Sequence, residues 1–83
     1  MDFRVYVVME IPIIDQIYEI LIPADRRIYE VINVLKKTIK ELSNNYYSNH
    51  SPVIYNKSTG EMYDMNLIIK DSNIKMGTRL LLI

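Results

Sequence analysis

The residue types that carry out chemistry are few in this sequence, and they lie apart. Cysteine is absent, which removes thiolate nucleophiles, disulfides and zinc–thiolate sites. The one histidine, His50, stands in a polar stretch with no carboxylate spaced to orient it, so it reads as a loop residue rather than a ligand or general base. Asp64 and Asp71 could be imagined as catalytic or metal-binding acids. The habit of Asp and Asn of hydrogen-bonding the backbone in turns explains them better. Ser43, Ser48, Ser51 and Ser58 have neither a partner base nor a glycine-rich elbow that would make one a nucleophile. The two glycines, Gly60 and Gly77, form no phosphate-binding loop. No catalytic set, metal site or cofactor is expected, and the chain is not expected to be an enzyme.

Composition excludes further classes. The formal net charge is zero, with ten basic and ten acidic residues. A nucleic-acid binder concentrates its cations, because neutralising phosphates supplies most of its affinity. The nearest cluster here, Lys36, Lys37 and Lys40, falls late in an expected helix, where cations suit the negative end of the macrodipole. It reads as a solvated helix face, and no nucleic acid is expected. The first residues, Met1-Asp2-Phe3-Arg4, lack the pattern of a signal peptide. Apolar runs such as Val5–Met9 and Leu80–Ile83 are too short to cross a bilayer, so no membrane insertion is expected. A soluble cytoplasmic protein fits these features. Heavy use of Ile, Asn, Lys and Tyr suggests an AT-rich, low-GC bacterial genome.

At 83 residues the chain is expected to be one domain, 1–83. Folding should bury on the order of 9,000 Å² of its surface, enough for one core but leaving little room for a deep internal site. Residues 2–11 read as a strand rich in β-branched and aromatic types. Phe3, Val5, Val7 and Met9 should face the core, and Arg4, Tyr6, Val8 and Glu10 should face out. Pro12–Asp15 interrupts the pattern, and Gln16–Ile22 resumes it with Tyr18, Ile20 and Ile22 on one side and Ile17, Glu19 and Leu21 on the other. The two strands make an antiparallel hairpin.

Pro23-Ala24-Asp25 then leads into a helix, with Asp25 as the expected N-cap. Arg26 and Arg27 oppose the dipole there, a small cost that pairing with Glu30 offsets. Ile28, Val31, Ile32, Leu35, Ile39 and Leu42 form one apolar stripe. Ser43–Ser51 is a polar loop. Pro52–Tyr55 is a short strand, Lys57–Gly60 a turn, and Glu61–Tyr63 a very short strand. Met65–Asn73 is an irregular connection, Gly77 ends a second turn, and Thr78–Ile83 closes as a strand with Leu80 and Leu82 inward.

A helix between two strand pairs must lie on one face of a mixed sheet to bury its stripe. The last strand should be central and parallel to the first. The expected fold class is therefore α+β: a β-grasp, the fold of ubiquitin, with a mixed four- to five-stranded sheet packed on one helix.

Particular stretches carry a resemblance. Ile69-Lys70-Asp71-Ser72-Asn73-Ile74 resembles ubiquitin's approach to its last strand. Tyr18–Asp25, Tyr55-Asn56-Lys57-Ser58-Thr59-Gly60 and Ile74–Ile83, with its Ile-x-x-Gly-Thr-x-Leu pattern, resemble the YukD-like bacterial ubiquitin-fold family. The resemblance spans most of the chain and implies a small accessory component associated with type VII (WXG/ESX-type) secretion in Gram-positive bacteria. Ubiquitin and the sulfur carriers continue past the last strand into a tail ending Gly-Gly that is adenylated. This sequence ends on Ile83, in a strand without a neighbouring glycine, so conjugation is not expected of it.

The outer sheet face is the candidate site. Tyr6 and Val8, Ile17 and Leu21, Ile54, and Leu81 and Ile83 are expected to point away from the helix, and a contiguous apolar patch of this kind marks a partner site. Ile54, Leu81 and Ile83 also resemble in position the apolar face by which ubiquitin is recognised. The blander explanation is that β-propensity alone selects Ile and Leu there, since isolated surface apolars are ordinary. A non-catalytic module that binds protein partners, including secretion components or a second copy of itself, is the expected function. A carrier that needs a processed or fused tail, or a β-grasp regulatory subunit of unrelated function, are the alternatives.

Overall fold

The computed structural model describes residues 3–42 and 51–83. The expected loop Ser43–Ser51, with Tyr46, Tyr47 and His50, lies outside the described residues except for Ser51, as does the side chain of Leu42. Among the described residues four strands and one helix follow in the order β1 (Arg4–Ile11), β2 (Gln16–Pro23), α1 (Ile28–Leu42), β3 (Ile54–Asn56) and β4 (Thr78–Leu82). The sheet order is β2-β1-β4-β3. β1 pairs antiparallel with β2, β4 runs parallel to β1, and β3 is antiparallel to β4. This is the mixed β-grasp sheet, with the first and last strands at its centre.

The hairpin between β1 and β2 closes through one 3₁₀ turn, Pro12–Ile14, with Asp15 in the left-handed region at φ 52°. Asp tolerates that conformation because its short polar side chain can bond locally. Val7, Met9 and Ile11 of β1 meet Ile22 of β2, Leu80 and Leu82 of β4, and Ile28, Val31, Ile32 and Ile39 of α1 in one core. Ile69, at the 3₁₀ turn Ile69–Asp71 of the crossover, and Ile74 close the core from the side.

Two expectations at the chain's entry to its elements are corrected. Phe3 does not reach the core and is 72% exposed. It precedes β1, beyond the end of the helix-covered face. Asp25 is not the helix cap, because α1 starts at Ile28. Residues 24–27 are instead held by the crossover: Lys70 donates its N–H to the Ala24 carbonyl at 2.8 Å, Ile69 donates to Arg26 at 2.9 Å, and Arg27 bridges Ile68. The first helical N–H groups then find carbonyls distant in sequence, Ile28 donating to Leu67 and Tyr29 to Met65, each at 3.0 Å. Glu30 reaches back to accept the Arg27 N–H at 3.2 Å, the reciprocal half of a capping box. Glu30 also pairs with Arg26 at 3.5 Å, the expected i,i+4 contact.

Glu61–Tyr63 forms a single bridge rather than a fifth strand. The Asn56 N–H goes to Glu61 and the Tyr63 N–H to Ile54, which leaves the sheet with four strands. Gly60 and Gly77 have φ 79° and 84°, so both expected turns need glycine's freedom at positive φ.

Candidate functional site on the outer sheet face

The register decides which side chains share the outer face. Tyr6 lies opposite Leu21, Val8 opposite Glu19 and Glu10 opposite Ile17. Across the parallel ladder Val8 lies beside Arg79 and Glu10 beside Leu81. Leu81 in turn faces Tyr55. One step further, Val53 and Ile83 exchange both backbone bonds, at 2.9 and 3.1 Å. Residues directly opposite share a face of the sheet, so Tyr6, Val8, Leu81 and Ile83 stand where the sequence puts them.

Ile54 does not. It pairs with Leu82, which points into the core, so Ile54 points there too and is only 1% exposed. The expected recognition residue is a core residue. Its place on the outer face is taken by its neighbours Val53 and Tyr55, both partly exposed.

The face is also not one apolar patch. At one end Tyr6 and Leu21 lie together. Beyond them Val8 stands between Glu19 and Arg79 in a mainly polar band that also holds Lys57 and Glu10, in which Lys57 Nζ meets Glu10 Oε2 at 2.7 Å. Hydrogen bonding with Glu19 raises the Tyr6 pKa above the ordinary tyrosine value, with smaller pushes from desolvation and then from the same carboxylate's charge. At the far end Leu81, Tyr55, Val53 and Ile83 make the larger apolar group, with Ile83 47% exposed, and Ile17, 61% exposed, stands at the same end on β2. Ile17 is separated from Leu81 by Glu10 on the strand between them.

A second apolar surface had no counterpart in the sequence reading. β2 is an edge strand, and between it and α1 lies a groove of about 460 Å³ lined by Ile20, Ile22, Val31, Val34 and Leu35, with Arg26 and Glu30 at one end. Val34 lies off the expected stripe and is exposed, which is the one sign of this groove in the sequence. Edge status depends on strand order and leaves no local mark.

Among the described residues no group of three or more His, Asp or Glu side chains is placed to hold a metal ion. No helix among them is long and apolar enough to cross a membrane. Asp71 sits in the 3₁₀ turn and donates its own N–H to the Ile68 carbonyl at 2.9 Å, while Asp64 Oδ1 accepts the Asn66 N–H at 2.8 Å. Both are turn residues, and Ser58 lies in the Asn56-capped turn with its N–H on Asn56 Oδ1 at 2.9 Å.

No protein-family model matches the sequence, and no curated protein matches it significantly. Solved structures do match the fold. The ubiquitin-like domain of the Mycobacterium tuberculosis type VII secretion system protein ECCD1 superposes with a TM-score of 0.71 at 10% identity, over 98% of each chain. A chain of the ESX-5 inner membrane complex gives 0.72 at 12% identity, over 96% of this chain. This chain spans about a fifth of that one, 20% of its length. A structure described as molecular mimicry of SUMO promoting DNA repair gives 0.70 at 12% identity, over 96% of this chain and 90% of that one. The fold is ubiquitin-like, and type VII secretion components are among its structural neighbours.

Proposed function

We propose that residues 1–83 act as one ubiquitin-like domain that binds other proteins and performs no chemistry of its own, as a cytoplasmic accessory component of type VII secretion. One observation carries the binding half: the apolar end of the outer face, where Ile17, Tyr55, Leu81, Val53 and Ile83 stand where a solvated antiparallel face ordinarily turns polar. The Glu10–Lys57 pair at its border would set the register of a partner, as rim charges do. Two independent likenesses support the secretion half. The YukD-like stretches are read from residues, and the ECCD1 domain matches by shape over nearly its whole length.

The test is affinity capture from the native cell, comparing the wild-type chain with an Ile17→Glu/Leu81→Glu variant. Recovery of a type VII secretion ATPase or membrane-complex protein by the wild type, and its loss with the variant, supports the proposal. Recovery of the same proteins by both would remove the outer face as the site. If Val34→Glu alone abolished capture, the groove between β2 and α1 would take its place. A genome neighbourhood without secretion ATPase or WXG-type genes would argue against the secretion assignment.

A further inference from the structure

β4 begins at Thr78, opposite Val7. The first residues of β1 therefore have β2 on one side, pairing Arg4 with Pro23, and, among the described residues, no strand on the other. The main-chain groups on that open side are partnered piecemeal. The Tyr6 carbonyl accepts the Gly77 N–H at 2.8 Å, but the Tyr6 N–H is directed at Met76 Sδ, 3.3 Å away. A thioether is a weak acceptor, and Met76 is an unbranched side chain, 67% exposed, able to swing aside at small cost. A carbonyl oxygen would satisfy that N–H better.

Met76 also lines a cavity of about 670 Å³ at this end of the sheet, together with exposed Phe3 and the cations Arg4, Lys70 and Lys75. Among the described residues Asp25 is the one carboxylate in the lining, and it lies 4.0 Å from Arg26. Arg4, Lys70 and Lys75 enter no ion pair among the described residues. Three cations against one carboxylate give the described lining residues a net charge of +2, in a chain whose net charge is zero. This end of the molecule is thus concave, apolar at its walls, positive at its rim, and open along a strand edge.

We propose that it binds an extended acidic segment of a partner protein. One apolar side chain of the segment enters between Phe3 and Met76, its carboxylates lie against Arg4, Lys70 and Lys75, and a main-chain carbonyl replaces Met76 Sδ on the Tyr6 N–H, as in strand addition to a sheet edge. The concavity favours a peptide over a lipid surface, because Phe3 and Met76 wall a cavity rather than project together from a flat face. The site lies apart from the Ile17–Leu81 end of the outer face, so the two can be tested separately.

The experiment is a titration of isotopically labelled protein, followed by its amide NMR spectrum, with a short synthetic peptide alternating Glu with Leu and Phe. Controls are the same peptide with Lys for Glu, and phosphatidylserine vesicles. The expected result is shifts centred on Phe3–Tyr6, Lys70 and Lys75–Gly77, and binding that weakens as salt is raised. A Lys70→Glu/Lys75→Glu variant should bind at least about tenfold more weakly, whereas Leu81→Glu should bind as the wild type does. If the charge reversal disturbs the fold, Arg4→Ala/Lys75→Ala is the second variant, with a loss in the same direction. No binding of the Glu peptide, equal binding of the Lys peptide, shifts centred elsewhere, or binding of the vesicles but not the peptide would each overturn the proposal.

Discussion

Asn56 offers the sharpest test of how the fold is held at its β3 end. It is the buried polar residue among those described, 8% exposed, and both the oxygen and the nitrogen of its amide are engaged. Oδ1 accepts the N–H groups of Ser58 and Thr59 at 2.9 and 3.1 Å, and Nδ2 donates to Tyr63 Oη at 3.0 Å. Tyr63, itself buried, donates onward to Asn73 Oδ1 at 2.6 Å. The side chain thus ties the turn after β3 to the segment that leads into β4. Asn56→Ala removes three hydrogen bonds, each worth about 1 kcal/mol net. Ser58 and Thr59 are exposed, so water recovers part of their share, and the expected loss is about 2 kcal/mol. For a domain of this size that lowers Tm by roughly 10 °C. Tyr63→Phe leaves Nδ2 buried without a partner and should cost about 1–2 kcal/mol. Because the two side chains share a bond, the double variant should lose less than the sum, with a coupling of about 1 kcal/mol. Urea and thermal unfolding followed by circular dichroism measure all three. A loss below about 0.5 kcal/mol for Asn56→Ala, or strict additivity in the cycle, would refute the network as a source of stability.

Ile54→Ala should cost about 2–5 kcal/mol, as for a fully buried Ile, whereas Leu81→Glu on the opposite face should change stability by less than about 1 kcal/mol; paired urea curves decide whether the reassignment of Ile54 to the core is right. Gly77→Ala should cost about 1–2 kcal/mol from its φ of 84° alone, since an added Cβ meets nothing within 4 Å. Thermal unfolding checks this, and a wild-type Tm would show that the turn relaxes. The Tyr6 pKa lies above the ordinary value because of Glu19, so Glu19→Gln should bring it down, as read by ultraviolet titration. A group whose folded pKa is raised contributes stability below its unfolded pKa and loses it as pH rises through the folded value. The wild type should therefore lose this contribution in the alkaline range above the ordinary tyrosine pKa, and Glu19→Gln should show less of that loss.

What could be read from the sequence was what repeats locally. The stripe from Ile28 to Ile39 and the alternation of Val5, Val7 and Met9 follow from single-element periods, and with element order they specify the sheet and its helix. The two turns needed glycine, and glycine stood there. What failed depended on partners far away in the chain. The start of α1 is set by Leu67 and Met65, whose carbonyls cap Ile28 and Tyr29, so a plausible local cap at Asp25 lost to tertiary pairing of residues 24–27. The face of Ile54 is set by its register with Leu82. In a strand of three residues alternation is too short to tell inside from outside, and a one-residue slip exchanges the faces. The outer face was recognisable as apolar, but its division by the Glu10–Lys57 pair needed residues of β1 and the turn after β3 to be brought together.

We propose that this ubiquitin-like domain works by holding a protein against the far end of its outer sheet face. Cross-saturation NMR of the labelled domain, bound to the protein captured from its native cell, maps that contact residue by residue. The claim requires transfer to the amides and methyls of Ile17, Val53, Tyr55, Leu81 and Ile83, lost together in Ile17→Glu/Leu81→Glu. Transfer confined to Ile20, Val34 and Leu35 of the groove, or to Phe3, Lys70 and Met76 at the basic end, would contradict it.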